Sequence, residues 1–204
     1  MGIKCIIFDF DGTLYNGETF ESWSKYVKNA IATIFTDSKA REDFILKYPE
    51  VRGNIASSKF AECLTNELGT AEGYVKFECE HIYPLELNKI THLENDYLYE
   101  LSQKYLLAIV SNSAVPYLRF YLQQFGIKEN IFKVLYQNNF DSPLGKGKYY
   151  KEIMENFNLK PDEILVLGDN FEYDVKPANE LGMRGYHVKT LEELKNIISR
   201  VTNE

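Results

Sequence analysis

The stretch Ile3-Lys4-Cys5-Ile6-Ile7-Phe8-Asp9-Phe10-Asp11-Gly12-Thr13 decides how the rest of the chain is read. Ile3 to Phe8 is short, almost continuously apolar and rich in β-branched residues, then stops abruptly at Asp-Phe-Asp-Gly. That is the signature of a strand buried on both faces, as in a parallel sheet. Leu106 to Val110 is a second such run, followed by Ser-Asn-Ser. Ile164 to Leu167 is a third, followed by Gly-Asp-Asn. Weaker runs over Phe132–Tyr136 and Gly185–Val188 add two further expected strands. Helical patterns fall between them, over Val115–Gln124 ending near Gly126, Tyr149–Phe157, Val175–Leu181 closing on Gly182, and Thr190–Val201. The last opens on a capping box, with Thr190 followed three residues later by Glu193. Alternation of this kind predicts an α/β, doubly wound parallel sheet with helices on both faces.

Residues 16–91 read differently. Phe20, Trp23, Val27, Ala30, Ile31 and Ile34 share one helical face, and Phe60, Leu64 and Leu68 recur at four-residue spacing. Pro49, Gly53, Gly69 and Gly73 break the pattern, and Tyr74–Tyr83 fits helix or strand equally. The expected organisation is a core of residues 1–15 and 92–204 carrying an inserted helical subdomain of residues 16–91.

The chain has 204 residues, of which 45% are hydrophobic and 26% charged, enough to bury a sizeable core. A formal net charge of −7 argues against a broad nucleic-acid footprint. It leaves room for a small phosphorylated substrate, because one metal ion and one lysine reverse the potential inside a pocket. Cys5, Cys63 and Cys79 form no CxxC pair and are odd in number, so reduced thiols in a cytoplasmic protein are expected. Met1 leads straight into a strand with no signal-peptide pattern, and no apolar run approaches a membrane span.

Ligands of open parallel sheets bind beyond the carboxyl ends of the strands. Asp9 and Asp11 lie at one such end, and Asp169 and Asp174, in Gly-Asp-Asn-Phe-Glu-Tyr-Asp, at another. Ser111-Asn112 lie at a third. Taken singly, each also fits an ordinary turn or helix cap. Lys146, in Gly-Lys-Gly-Lys, taken alone fits a solvated loop residue, and the segment is not a Walker A loop. Together they place several carboxylates, a hydroxyl and one lysine on a single sheet edge. Two unit charges ~4 Å apart repel by roughly 4 kcal/mol at an effective dielectric of 20. A hard divalent cation such as Mg²⁺ relieves that repulsion through oxygen ligands alone.

These motifs, in this order, resemble those of the haloacid dehalogenase superfamily. Asp9-Phe-Asp-Gly-Thr matches its first motif, Ser111 the second, Lys146 the third and Gly168-Asp-x-x-x-x-Asp174 the fourth. The insertion looks like the family's helical C1-type cap. The resemblance implies Mg²⁺-dependent hydrolysis of a small phosphomonoester. Asp9 would be the nucleophile, forming an aspartyl-phosphate, and Asp11 the general acid and base. Asp9, the backbone carbonyl of Asp11, and Asp169 would bind the metal. Ser111, Asn112 and Lys146 would hold the phosphate, with Gly12, Asn170 and Asp174 in support. Asn170 stands where the family often has a small hydroxyl residue, and an amide can donate a similar bond. Lys148 lies one turn from Lys146 and is the alternative lysine. An acid at position 11 favours phosphoryl transfer over the family's dehalogenases, which lack one there. A sugar phosphomutase and a non-catalytic binding protein are the competing readings. His81, His92 and His187 fall outside every motif and are expected to be structural. Arg52 is expected at the surface, and Tyr15 and Trp23 could wall a pocket.

Overall fold

A computed structural model describes residues 2–16, 27–52 apart from 29 and 33, 57–69, 90–138 apart from 114, and 144–203. The chain divides into two compact units, Met1–Asn16 with Thr91–Glu204, and Gly17–Ile90.

The first unit is built on five parallel strands: β1 (Cys5–Phe8), β4 (Leu106–Ser111), β5 (Phe132–Gln137), β6 (Ile164–Gly168) and β7 (Arg184–His187), in the order β5-β4-β1-β6-β7. A two-residue antiparallel ladder, β2 (Tyr15–Asn16) with β3 (Thr91–His92), pairs Tyr15 with His92. The helices are α3 (Asn95–Lys104), α4 (Val115–Gln124), α5 (Gly147–Asn156), α6 (Lys176–Glu180) and α7 (Leu191–Thr202); α1 and α2 belong to the second unit. Each expected strand and helical stripe of the core is found, with ends moved by at most two residues.

Two features differ from the sequence reading. Helix α3 is not anticipated there, because its buried stripe is only Leu98 and Leu101 among tyrosines and charges. The helix expected over Val175–Leu181 is α6, preceded by a π-helical turn over Phe171–Val175. That turn carries Asp174 into the interior.

β1, β4 and β6 are buried because both faces are covered, whereas the edge strands β5 and β7 are mostly half-buried. Cys5 and Ile7 join Ala108, Val110, Ile164 and Val166 in one apolar cluster, packed with Tyr149, Tyr150 and Ile153 of α5 and Ala178 of α6. Ile6 and Phe8 point to the opposite face by the two-residue period and are equally inaccessible. The register sets Phe8 beside Ile109 on one side and Leu167 on the other, so the strand ends fall level. Connections run outward from β1 through β4 and β5, then cross to β6 and β7. The crevice between β1 and β6 is therefore the topological switch point.

The second unit contains α1 (Ser38–Lys47) and α2 (Ser57–Leu68), a 3₁₀ turn over Pro49–Arg52, and helical residues between 27 and 34. Val27, Ala30, Ile31, Phe44, Val51, Phe60, Cys63 and Leu64 are buried, whereas Ile34 and Leu68 are half-buried. The Asp37 carboxylate caps α1 by accepting the Ala40 N–H at 2.9 Å. Arg52 is exposed. Phe20, Trp23, Cys79, His81 and the ambiguous Tyr74–Tyr83 stretch lie outside the described residues. Among the described residues, no helix is long and apolar enough to cross a membrane.

Ile7 sits at 0% exposure in the middle of the central strand. Ile7→Ala is expected to lower unfolding free energy by about 2–5 kcal/mol, read from urea denaturation. A cost under about 1 kcal/mol would show that this face is not the packed core.

Candidate active site

Lys146 lies immediately before α5, and its side chain runs inward to 1% exposure. Its ammonium donates to Asp9 Oδ1 at 2.6 Å and to Asp174 Oδ1 at 2.5 Å. Burial alone would lower the lysine pKa. The two carboxylates outweigh that and hold it above its ordinary value, so the side chain stays charged. Lys148 is half-buried, with its ammonium 5.4 Å from the Tyr149 ring centroid. Lys146, not Lys148, is the lysine at Asp9.

Asp9 is buried and anchored through its N–H to the Leu167 carbonyl at 2.8 Å. Burial pushes its pKa well up. Lys146 opposes that shift, while Asp174, Asp169 and Asp11 add to it. Asp174 is held from both sides, by Lys146 on Oδ1 and by the Asn170 N–H on Oδ2 at 2.9 Å. Asn170 acts differently from the expected donor: its side-chain oxygen accepts the N–H groups of Glu172 and Tyr173 and so caps the π-turn. Gly168 gives this turn its space, since a Cβ there would fall 2.3 Å from the Asp174 Cβ.

Carboxylate oxygens of Asp9, Asp169 and Asp174 lie within 4.8 Å of one another. Asp169 keeps an exposed outer side, yet protein crowding around its carboxyl, then the charge of Asp174, raises its pKa from 3.8 to about 6. Gly12 has φ +75°, and a Cβ on it would sit 2.4 Å from Asp169 Oδ2. Both backbone and space thus require glycine there. His187 Nε2 lies 2.7 Å from the Asp169 carbonyl, a contact with the backbone of the loop and not with the carboxylates.

Asp11 goes elsewhere. Its Oδ1 accepts the hydroxyls of Tyr15 and of Tyr117, the latter at 2.9 Å, and its Oδ2 accepts the Ser113 hydroxyl at 2.7 Å. Burial, then the nearby Asp11 charge, lifts both tyrosine pKa values far above 10, so both phenols remain donors. Ser111 is buried at the end of β4, where its hydroxyl oxygen accepts the Ser113 N–H at 3.0 Å. Asn112 Oδ1 accepts from the Asn138 amide at 2.9 Å, which leaves the Asn112 NH₂ as a donor.

Ser113, Tyr117 and Asn138 are not among the candidate site residues read from the sequence. Tyr117 enters there only as a member of the helix expected over Val115–Gln124. Its link to Asp11 spans 106 positions and exists only because the fold sets α4 beside the β1 end. Ser113, two residues past Ser111, was the more visible of the three.

Two outcomes follow from this geometry. Gly168→Ala should displace Asp174 and cost about 1–3 kcal/mol in chemical denaturation; a neutral result would contradict the close approach. The raised Asp169 pKa means that the metal-free native state binds more protons than the unfolded chain between pH 3.8 and about 6. Its contribution to stability is therefore lost as pH rises through that window. Urea midpoints of wild type in EDTA, measured relative to Asp169→Asn, should fall from pH 4 to pH 6.5. A rising difference would reverse the assignment.

The family model for haloacid dehalogenase-like hydrolases matches residues 6–188. No curated protein matches the chain significantly. Among solved structures, the chain is similar to a HAD phosphatase from Thermococcus onnurineus, with TM-score 0.62 and 21% identity over 96% of this chain and 98% of that one. It is also similar to a HAD-family enzyme from Bacteroides thetaiotaomicron, solved with magnesium and inorganic phosphate, with TM-score 0.55 and 20% identity over 95% and 99%. At such identities these two likenesses speak for the fold. The family match spans nearly the whole chain, strand-end carboxylates and lysine included, and on that ground the chain belongs to the haloacid dehalogenase-like hydrolases.

Proposed function

We propose that the chain is a Mg²⁺-dependent phosphatase that hydrolyses a small phosphorylated metabolite through an aspartyl-phosphate on Asp9. The observation that carries this reading is the division of the two motif acids. Asp9 is buried against a lysine within a carboxylate cluster, whereas Asp11, two residues on, is held apart by neutral donors. Two carboxyl groups in such unlike surroundings suit two different roles.

In this mechanism an Asp9 oxygen attacks phosphorus as the bond to the leaving oxygen breaks, and Asp11 passes its proton to that oxygen. Asp11 then takes a proton from water, which attacks the aspartyl-phosphate, freeing phosphate and restoring Asp9. Lys146 orients Asp9 and offsets charge on the phosphoryl oxygens. Ser111 spends its oxygen on the Ser113 N–H and keeps its own proton to donate to a phosphoryl oxygen. The Asn112 amide, fixed by Asn138, offers a second donor. The donor set is all oxygen, as Mg²⁺ prefers. Asp9, Asp169 and the Asp11 backbone carbonyl would hold the ion; the Asp11 carboxylate is engaged with Tyr15, Tyr117 and Ser113. When bound, the metal supplies positive charge that shields the carboxylates from the phosphate dianion. Asp174 serves Lys146. The helical unit Gly17–Ile90 is assigned as the cap that selects the substrate.

Asp9→Asn should reduce hydrolysis of p-nitrophenyl phosphate by at least about a thousandfold. Activity near wild type in that variant would overturn the nucleophile. Excess EDTA should abolish turnover and Mg²⁺ should restore it; undiminished activity in EDTA would remove the metal from the scheme.

A further inference from the structure

Asp11 is held more completely than a general acid on a loop needs to be for folding alone. An ionised carboxylate has about four lone-pair sites. Two on Oδ1 are taken by Tyr15 and Tyr117, and one on Oδ2 by Ser113. The fourth, also on Oδ2, has no contact among the described residues.

The three donors come from three different places: β2, the loop after β4, and the first turn of α4. Each phenol is in turn fixed by ring packing. Tyr15 stacks on Tyr121 at 5.6 Å and 5°, and Phe10 meets Tyr15 and Tyr117 edge-on at 5.2 and 6.2 Å. Tyr117 also packs on Tyr121 at 4.7 Å. Neither hydroxyl can follow a moving carboxylate without disturbing this cluster. Two side-chain torsions of Asp11 are therefore held by three donors with little freedom of their own.

We propose that Tyr15, Tyr117 and Ser113 are positioning residues that lock the Asp11 carboxyl in one orientation, with Oδ2 as the oxygen that exchanges its proton with the leaving group. The proposal rests on the phosphatase reading above. Tyr15 and Tyr117 bond only Oδ1, Ser113 bonds Oδ2, and none of the three itself gives up or takes the transferred proton. They act by keeping Oδ2 where the departing oxygen emerges, so that the proton moves as the phosphorus–oxygen bond breaks. The proton leaves Oδ2, the alkoxide becomes an alcohol, and Asp11 becomes the carboxylate that later accepts a proton from water.

The test exploits leaving groups. A p-nitrophenolate departs with little need of a proton, whereas the alkoxide of benzyl phosphate departs only with one. The ratio of kcat/KM for benzyl phosphate to that for p-nitrophenyl phosphate reports the acid. It ends at leaving-group departure, so the shared hydrolysis of aspartyl-phosphate does not enter it. Both values come from one sample, so any unfolded fraction cancels.

Tyr117→Phe, Tyr15→Phe and Ser113→Ala should each lower that ratio about tenfold. Asp11→Asn should lower it further, and Asp11→Asn combined with Tyr117→Phe no further than Asp11→Asn alone. A purely structural role would depress both substrates alike and leave the ratio at the wild-type value, which would overturn the proposal. So would an unchanged ratio in Asp11→Asn. Failure of the phosphatase reading shows separately, as activity that survives Asp9→Asn. Loss of activity in Asp9→Asn with unchanged ratios in the tyrosine and serine variants removes only the positioning role.

Discussion

Much of the core is arranged around one ammonium group. Lys146 sits fully buried between Asp9 and Asp174, at 2.6 and 2.5 Å. Taking ions out of water costs several kcal/mol each, and only close, well-aligned partners offset it. That requirement reaches outward. Asp174 must come within reach, so the chain after β6 turns as a π-helix. The turn must pass close to the strand, so position 168 tolerates no side chain. Asn170 caps the turn and presents its N–H to the far oxygen of Asp174. Breaking such a pair by removing one partner typically costs 3–5 kcal/mol, because the survivor is stranded.

The two acids of the first motif show how local geometry gives neighbouring carboxylates unlike surroundings. They are two residues apart, and Asp9 ends the ladder while Asp11 enters the turn at Gly12. Asp9 is held by a cation, Asp11 by two phenols and a hydroxyl. The β2–β3 ladder contributes here too. Tyr15 pairs with His92 at the point where the chain leaves the core unit and returns, and the same residue donates to Asp11.

The parallel sheet was legible because its three central strands are doubly buried and so read as nearly unbroken apolar runs bounded by Asp, Ser and Gly. The approach of Asp9 and Asp169 was legible because strand ends in one parallel sheet share an edge; Lys146 reaches Asp9 from the start of α5, which its Gly-Lys-Gly-Lys setting alone did not reveal. The π-turn was not, since nothing in Phe171–Val175 departs from an ordinary helix start. Its conformation answers to Lys146, 28 positions away from Asp174. The tyrosine contacts to Asp11 were hidden for the same reason. Tyrosine in a helical stripe reads as core packing, and in Tyr117 it is core packing, with the hydroxyl alone carrying the polar contact. Asn170 shows the reverse case, in which a residue visible in a motif also caps the turn through its side-chain oxygen.

Charge balance gives the strongest physical argument for a divalent cation in the catalytic cycle. Asp9, Asp169 and Asp174 cluster about a single ammonium, so the fully ionised site is negative before any phosphate arrives. The metal-free protein answers by raising the proton affinity of Asp9 and of Asp169. In the proposed mechanism a protonated Asp9 would be a poor nucleophile, and a phosphate dianion entering beside ionised carboxylates would meet repulsion that Lys146 cannot cancel, since both its partners already share it. A cation held by Asp9 and Asp169 would resolve both conflicts, supplying positive charge that favours the ionised carboxylates and tolerates a dianion. In the proposed phosphatase, the acidity of the chain as a whole is then compatible with an anionic substrate, because the balance would be struck within a few ångströms of Asp9.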